Sequence, residues 1–251
     1  MDAELYDELS QFEDDHWWFQ ARRRIVWSLV ERYVEGGMGR RLRICELGCG
    51  TGGNLTAIAS RHDVMGVECS ELALAYARKK LGNRVRQGSL PHEVDLPSAS
   101  YDVVLLTDVL EHIEDDRRSA ETALRLLKPG GIIVATVPAY QWLYAPRDAQ
   151  HRHVRRYSKD EFRSLWERES SQIELLSHYN TLLFAPAMAV RLASKYLTDE
   201  DAPSAGDLHV PAAPVNRLLE HTMASESNLL GRVPMPFGMS LVAVVRRCFF
   251  R

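Results

Sequence analysis

Arg43-Ile44-Cys45-Glu46-Leu47-Gly48-Cys49-Gly50-Thr51-Gly52-Gly53-Asn54-Leu55 runs from a short apolar stretch through an acid into glycines, then resumes an apolar pattern. That order reads as strand, tight loop and helix. Gly48, Gly50 and Gly52 permit positive φ and leave no Cβ between loop and ligand. A helix that starts behind them turns its free N–H groups on whatever lies there. In an open α/β sheet such a site falls at the carboxyl end of the first strand, beside the switch point. The glycines alone also satisfy the dinucleotide fingerprint, as Gly48-x-Gly50-x-x-Gly53. Glu46 argues against a pyrophosphate, which it would repel, and for a cationic ligand group. Asp63-Val64-Met65-Gly66-Val67-Glu68 reads as a second strand ending in Glu68, a carboxylate able to accept both hydroxyls of a ribose.

Glu-x-Gly-x-Gly-x-Gly plus a second-strand acid resembles motif I and its partner in the class I S-adenosylmethionine (SAM)-dependent methyltransferases. The resemblance implies SAM as cofactor. The fold it implies is α/β and doubly wound, a seven-stranded, mostly parallel sheet with an antiparallel last strand, N-terminal helices and a helical insert before that strand. It assigns Glu46, Gly48, Cys49 and Gly50 to the cofactor, with Glu46 facing the methionine ammonium. Glu68 and Cys69 follow at the second strand, Ser89 and Leu90 after the third, and Thr107, Asp108, Val109 and His112 after the fourth. Many relatives carry an acid where Ser89 stands; a hydroxyl or a backbone group can do the same work for the adenine, with Leu90 available to stack on its ring. His16-Trp17-Trp18-Phe19-Gln20-Ala21-Arg22 is similar to the HWWF-x-x-R helix of bacterial small-molecule methyltransferases. Trp18 and Arg22 then cover the cofactor together, the ring attracting a sulfonium and the fork binding a carboxylate. The plainer reading of this helix is core and surface packing.

The 251 residues read as one domain: a helical cap over 1–40, a SAM-binding core over 41–178, a helical insert over 179–236 and a last strand over 237–251. A net charge of −3 provides no global field for nucleic acid. Cys45, Cys49, Cys69 and Cys248 show no CxxC spacing and read as reduced thiols of a cytoplasmic protein. Met1 is followed by acids, so no secretory leader is expected. The apolar run Leu182 to Val190 is far below the ~20 residues that span a bilayer. The expected partner is a small-molecule acceptor, with no nucleic acid, no transmembrane segment, membrane contact at most peripheral, and a monomer or homodimer as the assembly.

The pattern predicts helices over 2–35, 53–60, 71–81, 117–128 and 158–168. It predicts strands over 42–47, 64–68, 84–87, 101–108, 132–137, 173–178 and 239–246, the last antiparallel at the sheet edge. Ser70 reads as a helix cap, and Ser158 with Glu161 as a capping box. Residues 179–236 carry two apolar-rich stretches around a polar, proline-containing link. They read as a cap on the core or a dimer surface, as a substrate lid, or as a lipid contact.

Methyl transfer is an in-line displacement in which the protein orients the acceptor and removes its proton where needed. The loop after the fifth strand, Tyr140 to Tyr157, is rich in arginine and histidine. It resembles the D…H-x-RRY-(S/T) segment of a subset of these enzymes, many associated with polysaccharide and secondary-metabolite assembly. Candidate bases are His153 and then His151. Tyr140, Tyr144, Arg152, Arg155, Arg156 and Tyr157 are the candidate acceptor contacts, with arginine forks suggesting an anionic or sugar-containing acceptor methylated on O or N. Asp108-x-x-Glu111-His112 has the spacing of the metal-binding Glu-x-x-Glu-His of some RNA 3′-end and ubiquinone-pathway methyltransferases, which His151 or His153 would complete. DVLEH also occurs widely in metal-free relatives, and no metal is expected. The same residues also admit a nicotinamide oxidoreductase or a non-catalytic SAM-binding subunit.

Overall fold

The apolar runs of the sequence become a single seven-stranded sheet, ordered β3-β2-β1-β4-β5-β7-β6, in a computed structural model that describes residues 3–37, 39–197 and 210–249. The strands are β1 (Arg43–Leu47), β2 (Asp63–Glu68), β3 (Val85–Gln87), β4 (Tyr101–Thr107), β5 (Leu127–Pro138), β6 (Ser171–Tyr179) and β7 (Ser240–Arg247). β1 pairs in parallel with β2 and β4, and β4 with β5. β4 is buried along its whole length, as its near-continuous apolar run requires of a strand covered on both faces.

One expectation is overturned. β7 is antiparallel but does not lie at the edge; it runs between β5 and β6, antiparallel to both. Composition explains the exchange. β7 is apolar on both faces and buried over its first six residues, whereas β6 is half-buried or exposed over Ser171 to Leu176 and buried only in its last three residues.

Two helical layers cover the sheet. On one face α2 (Trp17–Tyr33), α4 (Glu71–Leu81) and α9 (Ala213–Ser225) pack through Ile25, Leu29, Leu74 and Met223 against Ile44, Val103, Val134 and Val242. On the other, α5 (Asp116–Leu126) and α7 (Lys159–Ser164) pack through Ala120, Ala123 and Phe162 against Leu47, Val104, Leu106 and Ala135. Leu or Phe burial of this kind stabilises by about 1.5–3 kcal/mol per side chain.

Several boundaries differ from the sequence pattern. The stretch 2–35 is two helices, α1 (Ala3–Phe12) and α2, because His16 breaks the run and caps α2, its Nδ1 accepting from Trp18 N at 3.2 Å. The 53–60 stretch keeps only one helical turn, α3 (Gly53–Thr56), after which i→i+3 bonds such as Ile58 N to Leu55 O tighten the chain. The helix placed over 158–168 ends at Ser164, although Ser158 and Glu161 cap it reciprocally as expected. Ser70 accepts from Ala73 N at the start of α4.

The insert forms α8 (Phe184–Leu197) and α9, while residues 198–209 of its link lie outside the described residues. α9 closes on α2: Trp17 N donates to Asn216 Oδ1 at 2.9 Å, and Arg24 pairs with Glu220 at 2.9 Å. This half of the insert caps the core. Among the described residues no helix is long and apolar enough to cross a membrane.

Candidate active site

The carboxyl ends of β1, β2, β4, β5 and β6 share one edge of the sheet, and the loops that carry most of the candidate residues leave from it. Leaving β1, the chain turns through Gly48, Gly50 and Gly52 at φ 72°, 54° and 86°. Gly48 N and Cys49 N both donate to Val67 O, at 2.8 and 3.0 Å, which ties the loop to β2. A Cβ at Gly48 would stand 2.7 Å from Val109 Cγ2, so Val109 closes the loop from behind. A Cβ at Gly50 would meet nothing within 4 Å: this backbone faces open space. Gly50 N donates to Glu68 Oε2 at 2.8 Å and Ser70 N to Glu68 Oε1 at 2.9 Å. The second-strand acid is thus fixed between the glycine loop and the start of α4.

Glu46 lies beneath the loop and is 1 % exposed. Asn54 Nδ2 and Thr107 Oγ1 donate to its Oε1 at 2.6 and 3.0 Å, while its buried Oε2 has no partner. Burial pushes its carboxyl up to about 7, against the hydrogen bonds of Asn54 and Thr107 and the charge of Arg22. Thr107 therefore serves Glu46. Arg22 reaches this edge from α2; its guanidinium lies over the Trp18 ring, 4.4 Å from the centroid, and Nη1 pairs with Asp108. Trp18 and Arg22 are thus in contact on one face of α2. Asp108 sits at φ 56°, its N donating to Thr136 O and its Oδ1 accepting from Thr136 Oγ1.

Beyond β2 and β3 a cleft of about 260 Å³ is lined by Cys69, Gln87, Gly88, Ser89 and Glu93. Ser89 Oγ donates to Leu90 O at 3.3 Å, and Leu90 packs partly buried against the core. Cys69 is exposed here, whereas Cys49 is buried against Gly66, whose Cβ would lie 2.6 Å from its Sγ.

The loop after β5 is organised by the acid of its D…H-x-RRY-(S/T) segment. Asp148, 1 % exposed on the short helix α6 (Pro146–Gln150), accepts from His153 Nδ1 at 3.0 Å, Arg156 Nε at 3.0 Å and Ala145 N at 2.9 Å. Arg191 of α8 donates to both of its oxygens at 2.6 Å. Burial disfavours its charge, but these donors and cations prevail and hold the carboxyl well below the usual range. His153 is thereby fixed through Nδ1, and Tyr144 Oη donates to its backbone O at 2.7 Å. Its ring meets that of His112 edge-on, centroids 4.6 Å apart, with His151 at 5.8 Å. Burial lowers His112 and His151 to about 4, helped by His153 in the first case and by Arg147 in the second. His112, which follows β4, thus meets the loop after β5 through the ring of His153. Glu111, fully buried with neither carboxylate oxygen bonded, lies with His112 and His153 so that their ligating atoms fall within 4.8 Å of one another.

The forks assigned to an anionic acceptor are engaged elsewhere. Arg155 pairs with Asp116 at 2.6 Å and donates to Glu114 O. Arg156, 6 % exposed, is divided between Asp148 and Ala139 O. Tyr157 is buried, its Oη donating to Asp116 at 2.8 Å. These three residues build the loop from within. Tyr140, at φ 65°, remains at the edge of the site, stacked on His178 at 5.4 Å, and Arg152 is exposed. Three residues are not evident from the sequence: Asn54, which holds Glu46; Arg191; and Tyr179, wholly buried at the end of β6. A signal for Asn54 exists, since it follows directly on the last glycines; Arg191 and Tyr179 carry none.

Residues 45–135 match a family described as a methyltransferase domain. A protein of Mycolicibacterium smegmatis named a probable S-adenosylmethionine-dependent methyltransferase is 29 % identical over 64 % of this chain and 62 % of its own length. The O-methyltransferase rstn1 of Aspergillus nomiae is 27 % identical over 50 % of this chain and 62 % of its own. The chain thus matches under two thirds of the length of either relative. A solved structure, the [4+2]-cyclase SpnF, is similar with a TM-score of 0.58 at 19 % identity, covering 93 % of this chain and 84 % of that one; the likeness is one of fold. The glycine loop and the two strand-end acids thus lie within the stretch that matches a methyltransferase domain, in a chain similar over part of its length to S-adenosylmethionine-dependent methyltransferases.

Proposed function

We propose that this chain transfers the methyl group of SAM to a hydroxyl oxygen of a small acceptor, with His153 as the base. The cofactor reading is carried by Glu46: a buried carboxylate oxygen without a partner, beside a guanidinium, under a glycine loop that faces open space. These residues fit an α-amino acid group and a nucleoside. Glu46 would take the ammonium, Arg22 the carboxylate, Glu68 the ribose hydroxyls, and the cleft at Ser89 the adenine. Bound SAM supplies an activated methyl group on a sulfonium. Everything else falls to the chain. Asp148 holds His153 Nδ1, which leaves Nε2 as the acceptor of a proton. Half-buried His112 and His151, lowered to about 4, surround it without adding charge near neutral pH. The internal engagement of Arg155 and Arg156 removes the argument for an anionic acceptor, and an O-methyltransferase among the relatives supports oxygen as the target.

Calorimetric titration tests the cofactor reading. S-adenosylhomocysteine should bind and NADH should not; the reverse would make the chain a nicotinamide enzyme. Labelled SAM offered with a panel of phenols and sugars then tests catalysis. Binding of S-adenosylhomocysteine with no methyl transfer to any acceptor would favour a non-catalytic subunit.

One observation favours a second reading. The unpartnered Glu111 carboxylate and the imidazoles of His112 and His153 are donors suited to a divalent cation. Turnover that survives prolonged EDTA treatment supports direct proton transfer to His153. Loss restored by a divalent ion supports the metal.

A further inference from the structure

Tyr179 ends β6, separated from β4 in the sheet by β5 and β7, yet its side chain belongs to the cofactor edge. It is wholly buried, and its Oη has no hydrogen-bond partner. The hydroxyls of Thr136 on β5 and Ser240 on β7 flank it, and Arg22 and Asp108 lie within its electrostatic reach. Arg22 in turn is within reach of Asp108, Tyr179 and Glu46. Three buried polar atoms in this neighbourhood lack partners: Arg22 Nε, Tyr179 Oη and Glu46 Oε2. Leaving a buried donor or acceptor unpaired is costly, so such atoms mark places where a ligand completes the bonding.

The unmet capacity is two donors and one acceptor. Water would serve each singly. A carboxylate beside an ammonium serves all three at once, the carboxylate taking Arg22 Nε–H and Tyr179 Oη–H and the ammonium giving to Glu46. We infer that Tyr179 is a cofactor-binding residue that donates its phenolic hydrogen bond to the methionine carboxylate of SAM. The inference rests on the SAM reading above and adds a residue from the far side of the sheet. It also has a structural corollary. Asn180, at φ 56°, follows Tyr179, and Glu226 accepts from Thr181 N and Leu182 N at 2.7 and 2.8 Å where the chain enters α8. The carboxylate is therefore held at the root of the insert.

Tyr179→Phe keeps the ring and removes only the hydroxyl. The assay is calorimetric titration of parent and variant with S-adenosylhomocysteine and with 5′-methylthioadenosine, which has the same nucleoside and thioether but no amino acid group. S-adenosylhomocysteine should bind the variant about tenfold more weakly, the size of a lost hydrogen bond to a charged group. Methylthioadenosine should bind both proteins alike. Equal weakening of the two ligands would assign Tyr179 to packing and overturn the proposal, as would no weakening of either. A parent that fails to bind S-adenosylhomocysteine removes the methyltransferase reading and this proposal with it.

Discussion

On the proposed placement of the SAM ammonium at Glu46, cofactor binding is coupled to pH. Its buried carboxyl titrates at about 7 in the free protein because burial disfavours the charged form. An ammonium at Oε2 needs the carboxylate, so binding below pH 7 must release a proton. With a midpoint at about 7, roughly a tenth of the molecules carry ionised Glu46 at pH 6 and roughly half at pH 7. Affinity for S-adenosylhomocysteine should therefore rise about fivefold over that unit. The α-ammonium of the ligand, beside its own carboxylate, stays protonated throughout this window. The sign for folding is opposite: a carboxyl raised on folding makes the free protein less stable as pH rises from ~4.5 through 7. Calorimetry at pH 6 and 7, in buffers of different ionisation enthalpy, counts the proton directly. Glu46→Gln should weaken binding at pH 7 by at least about tenfold and abolish both the proton release and the slope. A parent that releases no proton at pH 6, or a variant that keeps the slope, would refute the placement of the ammonium at Glu46.

Gly48→Ala sets a Cβ 2.7 Å from Val109 Cγ2 at φ 72°, and thermal unfolding should show a loss on the order of 1–3 kcal/mol with weakened S-adenosylhomocysteine binding. Arg156→Met leaves the charge of Asp148 buried with one cation fewer and should destabilise by about 3–5 kcal/mol in denaturant titration. Arg155→Met, at a pair whose arginine side chain is 31 % exposed, should lose only about 0–1 kcal/mol, and the acceptor KM should stay at the parent value. His153→Ala should lower kcat by roughly 10²–10⁴ with S-adenosylhomocysteine affinity intact. His112 and His151, lowered by folding, take up protons more readily in the unfolded chain; stability should fall as pH drops from ~6.5 towards 4, and His112→Gln should flatten that fall.

What the chain disclosed in advance was whatever depends on neighbours in sequence. The strand runs, the glycine loop, Ser70 and the Ser158–Glu161 box are local, and so is the i, i+4 pairing of Trp18 with Arg22. The rank of β7 inside the sheet is not local: it follows from where a long insert returns the chain. The arginines of the acceptor loop were misjudged for the same reason. Arg155 looks available until Asp116, 39 residues away, is folded against it. Asp148 is marked in the sequence only as the acid of the D…H-x-RRY-(S/T) resemblance, and its burial is not legible because a five-residue helix bears no periodic signature. Tyr179 was indistinguishable from a core aromatic, since sequence shows a ring and not the hydroxyl's lack of a partner.

Asp148 has a consequence for anyone who would re-engineer acceptor choice by exchanging inserts among relatives. The same carboxylate orients His153 and receives Arg191 of α8. A graft without a cation at that position leaves a buried acid with fewer cations to meet its charge, and the acid then draws harder on the imidazole it steadies. Donor segments are best screened for an arginine about two turns into their first helix before any pocket residue is redesigned.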